Sequence, residues 1–197
     1  MYSKKPHLLI GFHGCDENIL ESIINGKEQI NISENDHDWL GAGMYFWKNN
    51  LGRAWKWAKD SKSIKKPAVI GAVIDLGFCL DFLESEYLSL LKPTYERLKK
   101  ATDRAGAKLP ENEKPKNSGD YLLRLLDCLI IETIHQDREE QERKPFDSVR
   151  GVFWEGKEPY PNSGFKEENH IQISVRNPNC IKGYFIPREE NAGWDLP

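Results

Sequence analysis

The segment Leu40-Gly41-Ala42-Gly43-Met44-Tyr45-Phe46-Trp47, preceded nearer the amino end by Phe12-His13-Gly14-Cys15, constrains this chain more than anything else in it. Two glycines flanking an alanine let the backbone turn tightly and pass close to a flat ligand, and an aromatic following them can be laid over it. His13-Gly14 sets a polar side chain beside a backbone that carries no Cβ. The two segments together read as the walls of one cleft.

With 197 residues, 39% of them apolar and 30% charged, the chain is long enough for one buried core and short for two, which predicts a single domain over 1–197. The formal charge of -3 and a pI near 6.0 give no global electrostatic case for nucleic acid or an anionic membrane. The basic residues Lys56, Lys59, Lys62 and Lys65-Lys66, interleaved with Trp55 and Trp57, read as a solvated helix face. Cys15, Cys79, Cys128 and Cys180 lie far apart, without a C-x-x-C pair or histidines at ligand spacing, so no metal site is expected. A reducing cytosol accounts for four free thiols. Leu8-Leu9-Ile10 is too short for a signal-peptide core, and no apolar run reaches membrane-spanning length, so a cytoplasmic protein is expected.

Strand and helix signals alternate. Leu8 to His13 reads as a first strand, and Asp16 as the cap of a helix with Ile19, Leu20, Ile23 and Ile24 on one face and Gly26 at its stop. After the Gly-Ala-Gly-Met-Tyr-Phe strand, Asn49 or Asn50 starts a helix burying Leu51, Ala54, Trp55 and Ala58, with Trp57 on its flank. Ala68 to Leu76 reads as a strand covered on both faces. Leu88, Leu91, Tyr95 and Leu98 predict a helix broken or kinked at Pro93, followed by a mobile polar loop from Arg104 to Gly119. A further helix runs from Asp120. Strands are expected at Val149 to Trp154, at Ile171, Ile173 and Val175 alternating with His170, Gln172 and Ser174, and at Cys180 to Ile186. The class is α+β.

Phe12-His13-Gly14-Cys15, Gly41-Ala42-Gly43-Met44-Tyr45-Phe46, Ala54-x-x-Trp57-Ala58 and the strand Asn169 to Val175 resemble, in order and spacing, the ADP-ribosyltransferase superfamily in its His-Tyr-Glu branch, shared by poly(ADP-ribose) polymerases and diphtheria toxin. The likeness covers roughly residues 8 to 76 and 146 to 186; the helical stretch 84–142 is an insertion outside it. The resemblance implies a split pair of small antiparallel β-sheets with flanking helices, gripping NAD as a substrate and needing no metal. It implies that His13 bonds a ribose hydroxyl, that the Gly14 backbone holds the nicotinamide carboxamide, and that Tyr45 and Trp57 sandwich the ring. Arg53 stands where many relatives carry a small hydroxyl residue and is expected at the NAD pyrophosphate.

Gln172 occupies the place of the usual catalytic glutamate. A neutral amide keeps the hydrogen bonds to the ribose and loses the charge that steadies a developing cation. His170, Glu167 or Glu168 are alternative sources of that polarity. Single-unit transfer is therefore expected rather than chain elongation. In the loop Gly156 to Glu168, Tyr160, Phe165 and Lys166 are the candidates to touch the acceptor.

The resemblance thus implies a mono-ADP-ribosyltransferase acting on a protein or nucleic acid, in the manner of a bacterial toxin or defence effector, with an antitoxin or inhibitor protein as a further partner. NAD glycohydrolysis, or a silent module binding NAD, ADP-ribose or RNA, stand as alternatives.

Overall fold

The computed structural model describes residues 8–116, 119–189 and 193. In chain order the elements are β1 (Leu9–Asp16), α1 (Glu17–Ile24), β2 (Met44–Lys48), α2 (Leu51–Asp60), β3 (Pro67–Ile74), β4 (Cys79–Asp81), α3 (Ser85–Leu88), α4 (Leu91–Arg104), α5 (Leu125–Glu140), β5 (Ser148–Phe153), β6 (His170–Val175) and β7 (Ile181–Phe185). The protein is α+β, with all seven strands in one sheet of order β4-β5-β6-β2-β1-β3-β7. Only β4 and β5 run parallel. The expected pair of separate sheets is present as one sheet with a narrow seam: β1 pairs with β3 from Leu9 to Asp16, but with β2 only at Gly11 and Phe12.

Alternation along the strands divides the core. On one face, Met44 and Phe46 of β2, Ile70, Ala72 and Ile74 of β3, and Ile173 and Val175 of β6 form a single cluster that also takes Ile23 of α1. Full burial of side chains such as Phe46, Ile70 and Ile173 contributes about 1.5–3 kcal/mol each. The opposite face carries two separate clusters. Trp47, Ala54 and Val69 lie under α2, while Leu40, Ile130, Ile131, Ile134, Val149 and Phe153 gather where the 84–142 insertion packs on β5.

Several local expectations are corrected. β1 extends to Asp16, so His13 and Gly14 lie inside a strand and not at its end. The Asp16 carboxylate caps no turn of α1; it accepts the N–H groups of Lys65 and Lys66 at 2.8 and 3.2 Å, tying the loop before β3 to β1. Asn50 does cap α2, accepting the Arg53 N–H at 3.0 Å, but Trp55 is exposed and the buried residues are Ala54 and Ala58. Their small side chains let α2 sit close to the sheet. Pro93 lies in the first turn of α4, where its missing N–H leaves no helical bond unmade, so the break falls before it, between Leu88 and Leu91. α5 starts at Leu125, and the irregular stretch after α4 is tied down by a backbone bridge between Glu113 and Leu123. None of the four cysteines is in a disulfide, and burial pushes the thiols of Cys15, Cys128 and Cys180 up to about 11.

Candidate functional site

Beyond Phe12 and Trp47 the strands β1 and β2 part, and the backbone of β2 loses its ladder partner there. His13 fills the gap: its Nδ1 lies 2.8 Å from the Tyr45 carbonyl, and its ring is 6.0 Å from that of Phe46. A carbonyl only accepts, so Nδ1 carries the proton and a neutral ring presents Nε2 as an acceptor. Burial lowers the pKa of His13, against the raising effect of that carbonyl bond, and so favours this neutral form.

Gly14 faces the other way, under α2. A Cβ there would stand 2.7 Å from the Ala54 carbonyl and 3.0 Å from the Trp57 ring, so only glycine permits this approach. Trp57 is 42% exposed, with its ring 5.8 Å from Trp47. Tyr45 packs instead toward the insertion. Its hydroxyl donates to the Gly41 carbonyl at 2.6 Å and accepts the Leu40 N–H at 2.8 Å, closing the glycine turn on itself. Burial holds the phenol well above its ordinary pKa. Gly14 and Trp57 are thus brought together, while Tyr45 packs toward the insertion and makes no direct ring contact with Trp57.

The glycine turn is buttressed from α5. Glu132 accepts the Ala42 N–H at 2.7 Å and pairs with Arg176 at 2.6 and 3.2 Å, while Arg176 also donates to the Ala42 carbonyl. Gly41, at φ +71°, would place a Cβ 2.3 Å from the Glu132 carboxylate, so both its conformation and its space demand glycine. The insertion therefore holds the segment that presents Tyr45. A lone carboxylate inside Ile130-Ile131-Glu132-Thr133-Ile134 was the available sequence signal.

Gln172 is buried on β6, an interior strand, directly across from Trp47 on β2 and Gly151 on β5. His170 and Ser174 share its face by alternation, and Tyr45 lies across from Ser174. Trp47 Nε1, Arg53 Nε, Asn169 Oδ1, His170 Nε2 and Gln172 Oε1 are all sealed from solvent without a hydrogen-bond partner; His135 Nε2 is the one other such atom among the described residues. Buried polar groups are ordinarily paired, and each orphan costs about 1–3 kcal/mol. Four of the five lie on the β2/β6 face or on α2 above it, supplying donors from Trp47 and Arg53 and an acceptor from Gln172. The His170 Nδ1 bonds the Glu168 carbonyl at 2.7 Å, and burial lowers its pKa to about 4.

Arg53 lies 6.0 Å from the Trp47 ring centroid and is clamped by two carboxylates, Glu155 and Glu168. Lys56 also pairs with Glu168. Desolvation raises the pKa of Glu155, outweighing the opposing effect of Arg53. Among the loop residues expected at an acceptor, Tyr160 and Phe165 are 58% and 66% exposed, while Lys166 is held by Asp120 at 2.5 Å. Trp47 and Glu155 were missed in the sequence; the period-two spacing of Tyr45 and Trp47 was the signal for the first. An apolar cavity of about 570 Å³ lies beyond Trp39 and Phe153, whose rings flank His170, and is lined by neither Tyr45 nor Gln172. Among the described residues no cluster of three or more His, Cys, Asp or Glu is arranged to hold a metal, and no helix is long and apolar enough to cross a membrane.

No protein-family model matches the chain, and no solved structure is significantly similar to it. It is similar to the uncharacterized protein MJ0359 of Methanocaldococcus jannaschii, with 27% identity over 191 residues, covering 87% of this chain and 83% of that protein.

Proposed function

We propose that the protein is an NAD-dependent mono-ADP-ribosyltransferase working at the face shared by Trp47, Arg53 and Gln172. The observation that carries this reading is the concentration of unpartnered buried polar atoms there, donors and acceptors together, as a hydroxyl-rich ligand such as a ribose requires. The motif order supplies the chemical class.

In this mechanism the bond between the ribose C1′ and the nicotinamide nitrogen breaks, and nicotinamide leaves neutral with the bonding pair. The cationic sugar is then captured by an acceptor nucleophile that gives up a proton. Gln172 orients the ribose hydroxyls through its amide without contributing charge, so catalysis rests on positioning and on the dipoles around the sugar. Arg53 meets the pyrophosphate only by exchanging at least one of its carboxylate partners.

Incubating the protein with NAD labelled in its adenylate half and a whole-cell lysate, followed by separate protease and nuclease digestion, tests this directly. Nicotinamide release with label in a digestible macromolecule is the expected result. Release of free ADP-ribose alone makes the protein a glycohydrolase. NAD binding without nicotinamide release makes it a silent module, and absence of NAD binding removes the reading altogether.

A further inference from the structure

An open strand edge and an apolar cavity meet at Val152. β4 pairs with β5 only from Ser148 to Arg150. The Phe82 N–H donates to the Arg150 carbonyl at 2.9 Å as the chain turns away, so the β5 residues whose backbone groups point away from β6 are Arg150 and, two further on, Val152. The N–H and C=O of Val152 therefore face outward, with no partner among the described residues, and the residue is 48% exposed. Sheets usually guard such edges with lysine, proline, a bulge or a covering segment. Val152 has none of these.

The cavity of about 570 Å³ runs beside this edge, lined by Phe82, Leu88, Leu91, Tyr95, Val152 and Phe153 among others, and its volume falls within the range of ligand sites. Tyr95 also lines a second groove along α4, where Arg97 is paired with Asp137 and Lys99 with Asp103, so that Lys100 and Arg104 are the cations without an ion-pair partner among the described residues. An apolar cleft thus continues into a cationic surface on a chain of net charge -3.

We propose that the open edge of β5 and the groove beside it dock an extended segment of a partner polypeptide, with an apolar side chain in the cavity and acidic residues along α4. The unpaired N–H and C=O of Val152 select a peptide backbone, since a small apolar molecule leaves both unmet. The charge on α4 selects acidic flanks and opposes a second copy of this chain, which would bring another cationic α4 toward the first. The inference is independent of the reaction at Gln172, although Gly151, the neighbour of Val152, is the register partner of that residue.

The probe is a fluorescein-labelled, end-blocked peptide, Glu-Asp-Leu-Thr-Leu-Thr-Asp-Glu, titrated with the whole protein and read by anisotropy. Saturable binding is expected, weakened at least tenfold by Val152→Pro. That change removes the outward N–H together with the Val152 side chain, at a position whose nitrogen points away from the ladder to β6. Leu88→Glu at the cavity rim is expected to weaken binding comparably, and a peptide with lysine in place of the acidic residues to bind at least tenfold more weakly. Circular dichroism melts establish that both variants fold. Equal binding by wild type and both folded variants overturns the proposal, as does absence of saturable binding. A wild-type dimer that Val152→Pro dissolves, with no peptide bound, assigns the edge to self-association and overturns it too.

Discussion

The Asp81 carboxylate and the polar atoms around Gln172 are buried and the Glu132 carboxylate is half-buried, but they are completed to different degrees. Asp81 grips the buried Arg150 through both carboxylate oxygens, and Glu132 shares its oxygens between Arg176 and the Ala42 N–H. Around Gln172, by contrast, Trp47 and Gln172 face each other across a strand pair, and neither satisfies the other. A completed polar cluster has done its work when the chain has folded. An incomplete one carries an uncompensated cost in the folded chain.

The largest expected effect lies at Asp81. Replacing it with alanine strands a guanidinium whose side chain is 7% exposed, and a loss of about 3–5 kcal/mol is expected in a urea titration. Combining Asp81→Leu with Arg150→Met is expected to recover most of that. A single-variant loss below about 1 kcal/mol would erase the contrast with Gln172.

Next comes Glu132, where partial exposure reduces the effect, and Glu132→Ala is expected to cost about 2 kcal/mol. Burial pushes the carboxyl of Glu132 up, but Arg176 and the Ala42 N–H outweigh it and hold its pKa below 4.5. The unfolded chain therefore takes up the proton first. The stabilisation is complete above about pH 4.5 and is lost as pH falls through the lower folded value. Glu132→Gln should flatten the acid limb of a stability-against-pH curve below about pH 4.5, and an unchanged acid limb would show that the pair contributes nothing there.

These two sites also mark how far the sequence could be read. Strands and helices whose period is strong were legible, including β3, β6 and α2, and so was the α+β class. The segment 84–142 gave up its helices but not its role, because a carboxylate reaching from α5 to the glycine turn is a contact between Ala42 and Glu132, far apart in the chain. Period alone could not show that Trp55 is exposed, since the closeness of α2 to the sheet is set by Gly14, Ala54 and Ala58. Gln172 and His170 alternated with Ile171 and Ile173 as though facing water. They are buried because the loop preceding β6 and α2 meet above them through Arg53, Glu155 and Glu168.

The smallest expected change in stability is the one that separates the two kinds of cluster most cleanly. Gln172→Met keeps the side chain's length and approximate volume while removing an acceptor that has no partner. If the residue served the fold, as Asp81 does, the variant would unfold more readily. An unfulfilled amide instead predicts stability that is unchanged or raised by up to about 1 kcal/mol, since a buried orphan is replaced by an apolar group. In the proposed reaction the same substitution is expected to reduce nicotinamide release from NAD by at least about 100-fold, mainly through kcat, because the interaction it removes would be made with the ribose as charge develops. Paired denaturation and turnover measurements decide the matter: a destabilised but active variant would place Gln172 with Asp81 and Glu132, among the residues that hold the protein together rather than those that meet its substrate.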